Sequence, residues 1–176
     1  MAESNPDISN EVFSSRMLFK TIRSRFPKVN QISTNCFEEL LLQKESEETV
    51  LVVDVRERQE QSISSLENAV FISPNNQNMD KILCLIESKP ISNVVAFCSM
   101  GYRSCEFVQK LYKCLDTSKR SSITLYNLEG GLFKWANENK RIVDDKGMET
   151  SFVHPYNVVW GKFLEYDKRK YQLDEK

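Results

Sequence analysis

VVAFCSMGYRS, Val94–Ser104, followed by CEFVQKLYKCL, is the stretch whose reading decides the fold. Asn93 to Phe97 has the continuous apolar character of a buried strand. It runs straight into Cys98, a short loop, and a helix whose apolar positions Val108, Leu111, Tyr112 and Leu115 recur at helical spacing. A cysteine at a strand-to-helix junction is unusually placed. Unpaired N–H groups of such a loop converge on one point, and the helix dipole adds partial positive charge there. A thiol held at that point is pushed toward thiolate, the nucleophilic form. Gly101 lets the loop turn tightly, and Arg103 adds a fixed positive charge with a fork of donors. The blander reading of Cys98 is a small buried hydrophobe at the end of a strand.

Outward from this stretch the chain alternates strand and helix. Val50–Val55 is a continuous apolar strand that carries Asp54 near its end, and Ala69–Ser73 is a second strand, stopped by Pro74. Asn78–Lys89 reads as a helix with Met79, Ile82, Leu83 and Ile86 on one face, ended by Pro90. Ser122–Leu128 is the last strand, and Gly130 and Gly131 turn it into a helix with Leu132, Trp135 and Ala136 facing inward. Upstream, Asn30–Ser33 is a short strand, and Thr34 or Asn35 caps a helix carrying Phe37, Leu40 and Leu41. Lys44–Thr49, Arg56–Asn68 and Lys119–Ser122 read as polar connections. Five strands, each separated from the next by a crossover, predict an α/β fold: a central parallel five-stranded sheet with helices on both faces.

Both ends of the chain lie outside this pattern. Residues 1–29 form an N-terminal extension in which Met1–Asn10 is polar and Glu11–Phe26 carries Leu18, Phe19, Ile22 and Phe26 as an apolar stripe, with Arg16, Lys20 and Arg23 on another face. Such a helix either docks on the domain or lies on a membrane surface; Glu3, Asp7 and Glu11 spoil the acid-poor pattern of a targeting segment. Residues 144–176 form a C-terminal extension: a linker, DDKGMETS, then an amphipathic element opened by His154-Pro155 with Tyr156, Val159, Trp160, Phe163 and Leu164 in a stripe. That helix either docks on the domain between them, residues 30–143, or binds a protein partner.

Composition narrows the function classes. A net charge of -1 provides no basic surface for a polyanion, so nucleic acid is not an expected partner. Five cysteines, at positions 36, 84, 98, 105 and 114, are odd in number and without a Cys-x-x-Cys pair. They point away from a disulfide framework and a zinc site and toward a reducing, cytoplasmic compartment. The single histidine, His154, is a poor start for a Cys-His protease. No apolar run approaches the roughly 18 residues needed to span a membrane.

Three separated motifs, in this order and with these elements between them, resemble the rhodanese-like family: LVVDVRERQEQ at Leu51–Gln61, CSMGYRS at Cys98–Ser104, and LEGGLFKW at Leu128–Trp135. The resemblance implies a rhodanese-like sulfurtransferase needing no metal or organic cofactor. Cys98 would take a sulfane sulfur from a persulfide or thiosulfate donor and pass it, as a persulfide, to a thiol or cyanide acceptor. The loop residues Ser99, Met100, Gly101, Tyr102, Arg103 and Ser104 would bind the substrate and stabilise charge on sulfur. Asp54 and Arg56 would brace the strand end behind the loop, and Gly130 and Gly131 would shape a turn. Members that prefer thiosulfate tend to carry basic residues where Ser99 and Met100 stand, and another basic residue where Glu60 stands, so a small or protein-borne persulfide is the expected donor. Ser64–Ala69, SSLENA, also departs from the family's usual Gly-His-Ile-x-Gly-Ala. The related Cdc25-type phosphatases and arsenate reductases have five residues between Cys and Arg; here there are four, Ser99–Tyr102, which suits a sulfur atom better than a tetrahedral oxyanion. A rhodanese-like interaction module with little catalysis is the alternative class. Cys105, seven residues past Cys98, is either a resolving thiol or core packing.

Overall fold

The computed structural model describes residues 6–43, 49–75 and 79–172, with side chains from Ser15 onward. Residues 1–5, residues 44–48 of the expected Lys44–Thr49 connection and the helix start expected at Asn78 lie outside them. Five parallel strands, β1 (Asn30–Ile32), β2 (Thr49–Asp54), β3 (Val70–Phe71), β4 (Ile91–Phe97) and β5 (Thr124–Leu128), form one sheet in the order β1-β5-β4-β2-β3. The helices are α1 (Pro6–Arg25), α2 (Thr34–Leu42), α3 (Arg58–Ile63), α4 (Met79–Ser88), α5 (Tyr102–Cys114), α6 (Thr117–Ser122) and α7 (Gly131–Asn137).

Period-2 alternation along the central strands sorts side chains between two cores. From β4, Val94 and Ala96 join Ile22 of α1 and Phe26 just past its end, Ile82 and Ile86 of α4, and Phe107, Val108 and Leu111 of α5. Val95 and Phe97 point the other way, to Phe37 of α2 and Leu132, Phe133 and Trp135 of α7. Each such side chain taken fully out of water contributes about 1.5–3 kcal/mol of transfer free energy. The arrangement puts the carboxyl end of β4, and so Cys98, at the sheet centre where α5 begins.

Several local expectations are corrected. The segment after Arg56 is not irregular: Glu57 and Glu60 form a capping box that starts α3. Asp116 caps α6 by accepting the Lys119 N–H, so Lys119–Ser122 is helical rather than a link. Ser33, not Thr34 or Asn35, caps α2 through the Cys36 N–H. Tyr112 leaves the expected stripe: it is 52% exposed and lies under the Arg120 guanidinium. The linker after Val143 is a hairpin, β6 (Ile142–Val143) against β7 (Glu149–Thr150), its turn closed by Asp144 Oδ1 accepting from Lys146 and Met148 N–H.

The ends fold back onto the sheet. Helix α1 begins at Pro6 rather than at Glu11, where the apolar stripe opens, and it docks: Ile22 and Phe26 are buried, and Phe26 meets the Tyr102 ring edge-on at 5.1 Å. Arg23 pairs with Glu129. Among the described residues no helix is long and apolar enough to cross a membrane. Among the described residues the C-terminal segment is helical only as two short 3-10 turns, Trp160–Phe163 and Tyr166–Lys168, in place of the one amphipathic helix its sequence predicts. Other side chains claim the backbone groups a continuous helix would pair. Asn137 donates to Phe163 O and accepts the Glu165 N–H, while Arg169 donates to Leu164 O. Leu164 is buried in the second core as a result.

Candidate functional site

Cys98 is the first residue past β4, and the backbone reverses at Gly101, whose φ of +103° is open to glycine and costly for a side chain. This turn brings the Gly101 N–H to 3.1 Å from Cys98 Sγ. From the first turn of α5, Ser104 Oγ lies 3.4 Å from the same sulfur and 2.6 Å from Asn127 Oδ1. Asn127, on β5, donates in turn to Gln31 Oε1, and Gln31 donates to Cys105 Sγ at 3.5 Å. Cys105 is fully buried, and burial pushes its thiol up to about 12. A thiol that stays protonated and buried is core packing, and the resolving role does not fit it.

Arg103 does not aim its fork at the sulfur. Its Nη1 and Nη2 bind the two carboxylate oxygens of Glu60 at 2.7 and 2.9 Å, and Nη2 also reaches Ser99 Oγ at 3.0 Å. Glu60 is wholly buried and accepts further bonds from Ser99 Oγ and the Glu57 N–H. Burial alone would raise its carboxyl; the bonds and charge of Arg103, joined by Arg56 and Ser99, outweigh that and hold it below the ordinary value. Glu60 therefore ties α3 to the cysteine loop. In the sequence Glu60 stands out only as a departure from a basic position; the Glu57-x-x-Glu60 spacing of a capping box is the signal that marks it.

Asp54 and Arg56 are both fully buried, joined by contacts of 2.7 to 3.2 Å. Arg56 also donates to Ser64 O, and Ser65 Oγ donates to Asp54. The pair locks the end of β2 to the far end of α3. Gly130 and Gly131 both have positive φ and no room for a side chain; at Gly131 the obstacle is backbone, a Cβ there falling 2.2 Å from Cys98 O. This close approach lets the first N–H groups of α7 bond the loop, Leu132 to Cys98 O at 2.8 Å and Phe133 to Ser99 O at 3.1 Å.

Cys98 is 2% exposed and lies at the wall of a 510 Å³ cleft lined also by Ser99, Met100, Tyr102 and Arg103 of the loop, Leu18, Thr21, Ile22 and Arg25 of α1, and Tyr156 and Trp160 of the tail. Tyr156 sits in the left-handed region at φ +63°, where His154 Nδ1 accepts its N–H, and its ring covers the Arg103 guanidinium at 4.6 Å. Burial holds His154 below its ordinary value, which keeps the imidazole a neutral acceptor. Among the described residues no cluster of His, Cys, Asp or Glu is arranged to hold a metal ion.

Solved structures share this fold. An As-Sb reductase from Leishmania major aligns over 70% of this chain and 92% of its own, with a TM-score of 0.58 and 12% identity. A Saccharomyces cerevisiae homologue of single-domain rhodanese and the Cdc25 phosphatase catalytic domain aligns over 74% and 93%, at 0.57 and 18%. A thiosulfate sulfurtransferase from Pseudomonas aeruginosa aligns over 76% of this chain and 23% of its own, at 0.56 and 13%. At such identities the likeness speaks for the fold alone. No curated protein sequence matches. The sequence model of the rhodanese-like domain, however, matches residues 37–138, more than half of the chain and a span that includes all three motifs, so this chain belongs to the rhodanese-like domain family.

Proposed function

We propose that this protein is a sulfurtransferase that carries sulfane sulfur on Cys98. The observation that supports this most is the Gly101 N–H directed at Cys98 Sγ at the opening of α5, with the Ser104 hydroxyl beside it. First-turn N–H groups of a helix have no carbonyl partner within it, so Tyr102, Arg103 and Ser104 add donors at the same end of α5. In the first half-reaction the Cys98 thiolate attacks the outer sulfur of a donor persulfide. The new S–S bond forms as the donor's S–S bond breaks, and its electron pair leaves on the donor thiolate. In the second, an acceptor thiolate attacks the outer sulfur of the Cys98 persulfide and Cys98 leaves as thiolate. Electrons balance within each exchange, so the cycle needs no redox cofactor. The loop donors stabilise negative charge on whichever sulfur carries it, as an oxyanion hole does for oxygen.

Glu60 supports this reading over phosphoryl chemistry. It already takes the Arg103 fork that a tetrahedral oxyanion would need, and the loop is one residue shorter than the phosphatase count. A reducing, cytoplasmic setting would keep the thiol available. The test is turnover: thiocyanate production from a sulfane-sulfur donor and cyanide, alongside hydrolysis of p-nitrophenyl phosphate. The reading expects the first activity, its loss in Cys98→Ser, and none of the second. Phosphate hydrolysis dependent on Cys98 would replace it with a phosphatase, and neither activity would leave an interaction module.

A further inference from the structure

The walls of the cleft come largely from the two extensions, and their chemistry is one-sided. Leu18, Ile22, Met100, Tyr102, Tyr156 and Trp160 make apolar walls beside Cys98 in a cleft that stays open to solvent on one side. Its 510 Å³ is the size of a pocket that surrounds a small organic ligand. The four residues after the cysteine, Ser99 to Tyr102, carry no charge, and the Arg103 guanidinium is engaged by Glu60 on one side and covered by Tyr156 on another. Arg25, itself exposed, is the other cation of the lining. An inorganic dianion such as thiosulfate would give up hydration here for little pairing. An apolar group attached to the sulfur would instead be taken out of water where it meets these walls.

We propose that the sulfane sulfur handled at Cys98 is carried on a small apolar organic group, aliphatic or aromatic, which lies in this cleft between α1 and the Trp160 turn. This rests on the sulfurtransferase reading and names its substrate class. Tyr156 is the residue that closes the charged side. Its left-handed backbone is strained for an aromatic residue, and the His154 acceptor is what holds it there. The extensions are thus specificity elements added around a loop that the domain alone would leave facing charged donors equally well.

A series of thiosulfonates with one reacting group and growing apolar bulk tests this: methane-, butane- and benzenethiosulfonate. In each, Cys98 Sγ bonds to the sulfane sulfur, the bond to the sulfonyl sulfur breaks, and its electron pair leaves on the sulfinate. The expected result is a kcat/KM that rises at least tenfold from the methyl to the phenyl donor. That ratio should fall toward one in Leu18→Asn and in Trp160→Ser, two variants on separate walls, either of which suffices if the other fails to fold. A flat series in the wild type, or a ratio unchanged in both variants, overturns the inference while leaving sulfur transfer standing. If none of the donors loads Cys98, the sulfurtransferase reading fails and the substrate class falls with it.

Discussion

Replacing Glu60 tests how the cysteine loop is held. Glu60→Ala removes a wholly buried carboxylate that accepts two Arg103 bonds, the Ser99 hydroxyl and the Glu57 N–H. It leaves the Arg103 guanidinium, whose side chain is 20% exposed, without its counter-charge. Breaking a buried pair from one side costs about 3–5 kcal/mol, and Arg103 can recover some hydration from the cleft, so the lower end applies. For a chain of this size about 3 kcal/mol lowers Tm by roughly 6–12 °C. Glu60→Gln keeps the shape and one acceptor and should lose about half as much, by the usual worth of a charge-assisted bond. The pH dependence is more specific than the size. Because the folded protein holds the Glu60 carboxyl below the ordinary value of 4.5, its stabilisation is complete above that pH and is lost as pH falls through the lower folded value. Thermal unfolding followed by circular dichroism from pH 7 to pH 3 should show a full gap between wild type and Glu60→Gln at neutrality that narrows below about 4.5. A Glu60→Ala protein within about 2 °C of wild type at pH 7, by the same scaling, or a gap that does not change with pH, refutes the reasoning.

Three further predictions follow from single contacts. Gly131→Ala puts a Cβ where Cys98 O sits and keeps a left-handed φ, so it should displace the loop, lower Tm and abolish sulfur transfer; retention of wild-type kcat/KM would contradict that close approach. Arg56→Met strands the buried Asp54 carboxylate and should cost about 3–5 kcal/mol by urea unfolding, whereas Asp54→Leu with Arg56→Met should recover part of it. Cys105→Ala should leave sulfur loading of Cys98 intact and change no disulfide pattern after mild peroxide, as read by non-reducing mass spectrometry; loss of an oxidised species in this variant would restore the resolving role.

The central architecture was legible because the sheet is buried on both faces. Val50–Val53 and Val94–Phe97 show as unbroken apolar runs, and the helices between them carry stripes that only a covered sheet requires. The place of the candidate loop in the fold was legible for the same reason: Cys98 follows directly on such a run, and Gly101 marks the turn. Glu60 was not, because a buried carboxylate announces itself through its partner, and Arg103 lies 43 positions away. The tail was misread for a related reason. Of its expected stripe only Leu164 is buried while Val159 is left 67% exposed, because Asn137 and Arg169 capture carbonyls that a continued helix would pair, and no periodicity within 154–164 reveals them. Gly131 was seen as a turn residue; that its missing side chain makes room for the Cys98 carbonyl depends on β4 and α7 meeting in three dimensions.

The most direct measurement is to treat the intact protein with a sulfane-sulfur donor, digest it under conditions that preserve persulfides, and locate the added mass by tandem spectrometry. The account predicts one extra sulfur on the peptide containing Cys98, removed by an acceptor thiol and absent from Cys98→Ser. Sulfur found instead on the exposed Cys36, Cys84 or Cys114, with Cys98 unmodified, would contradict it.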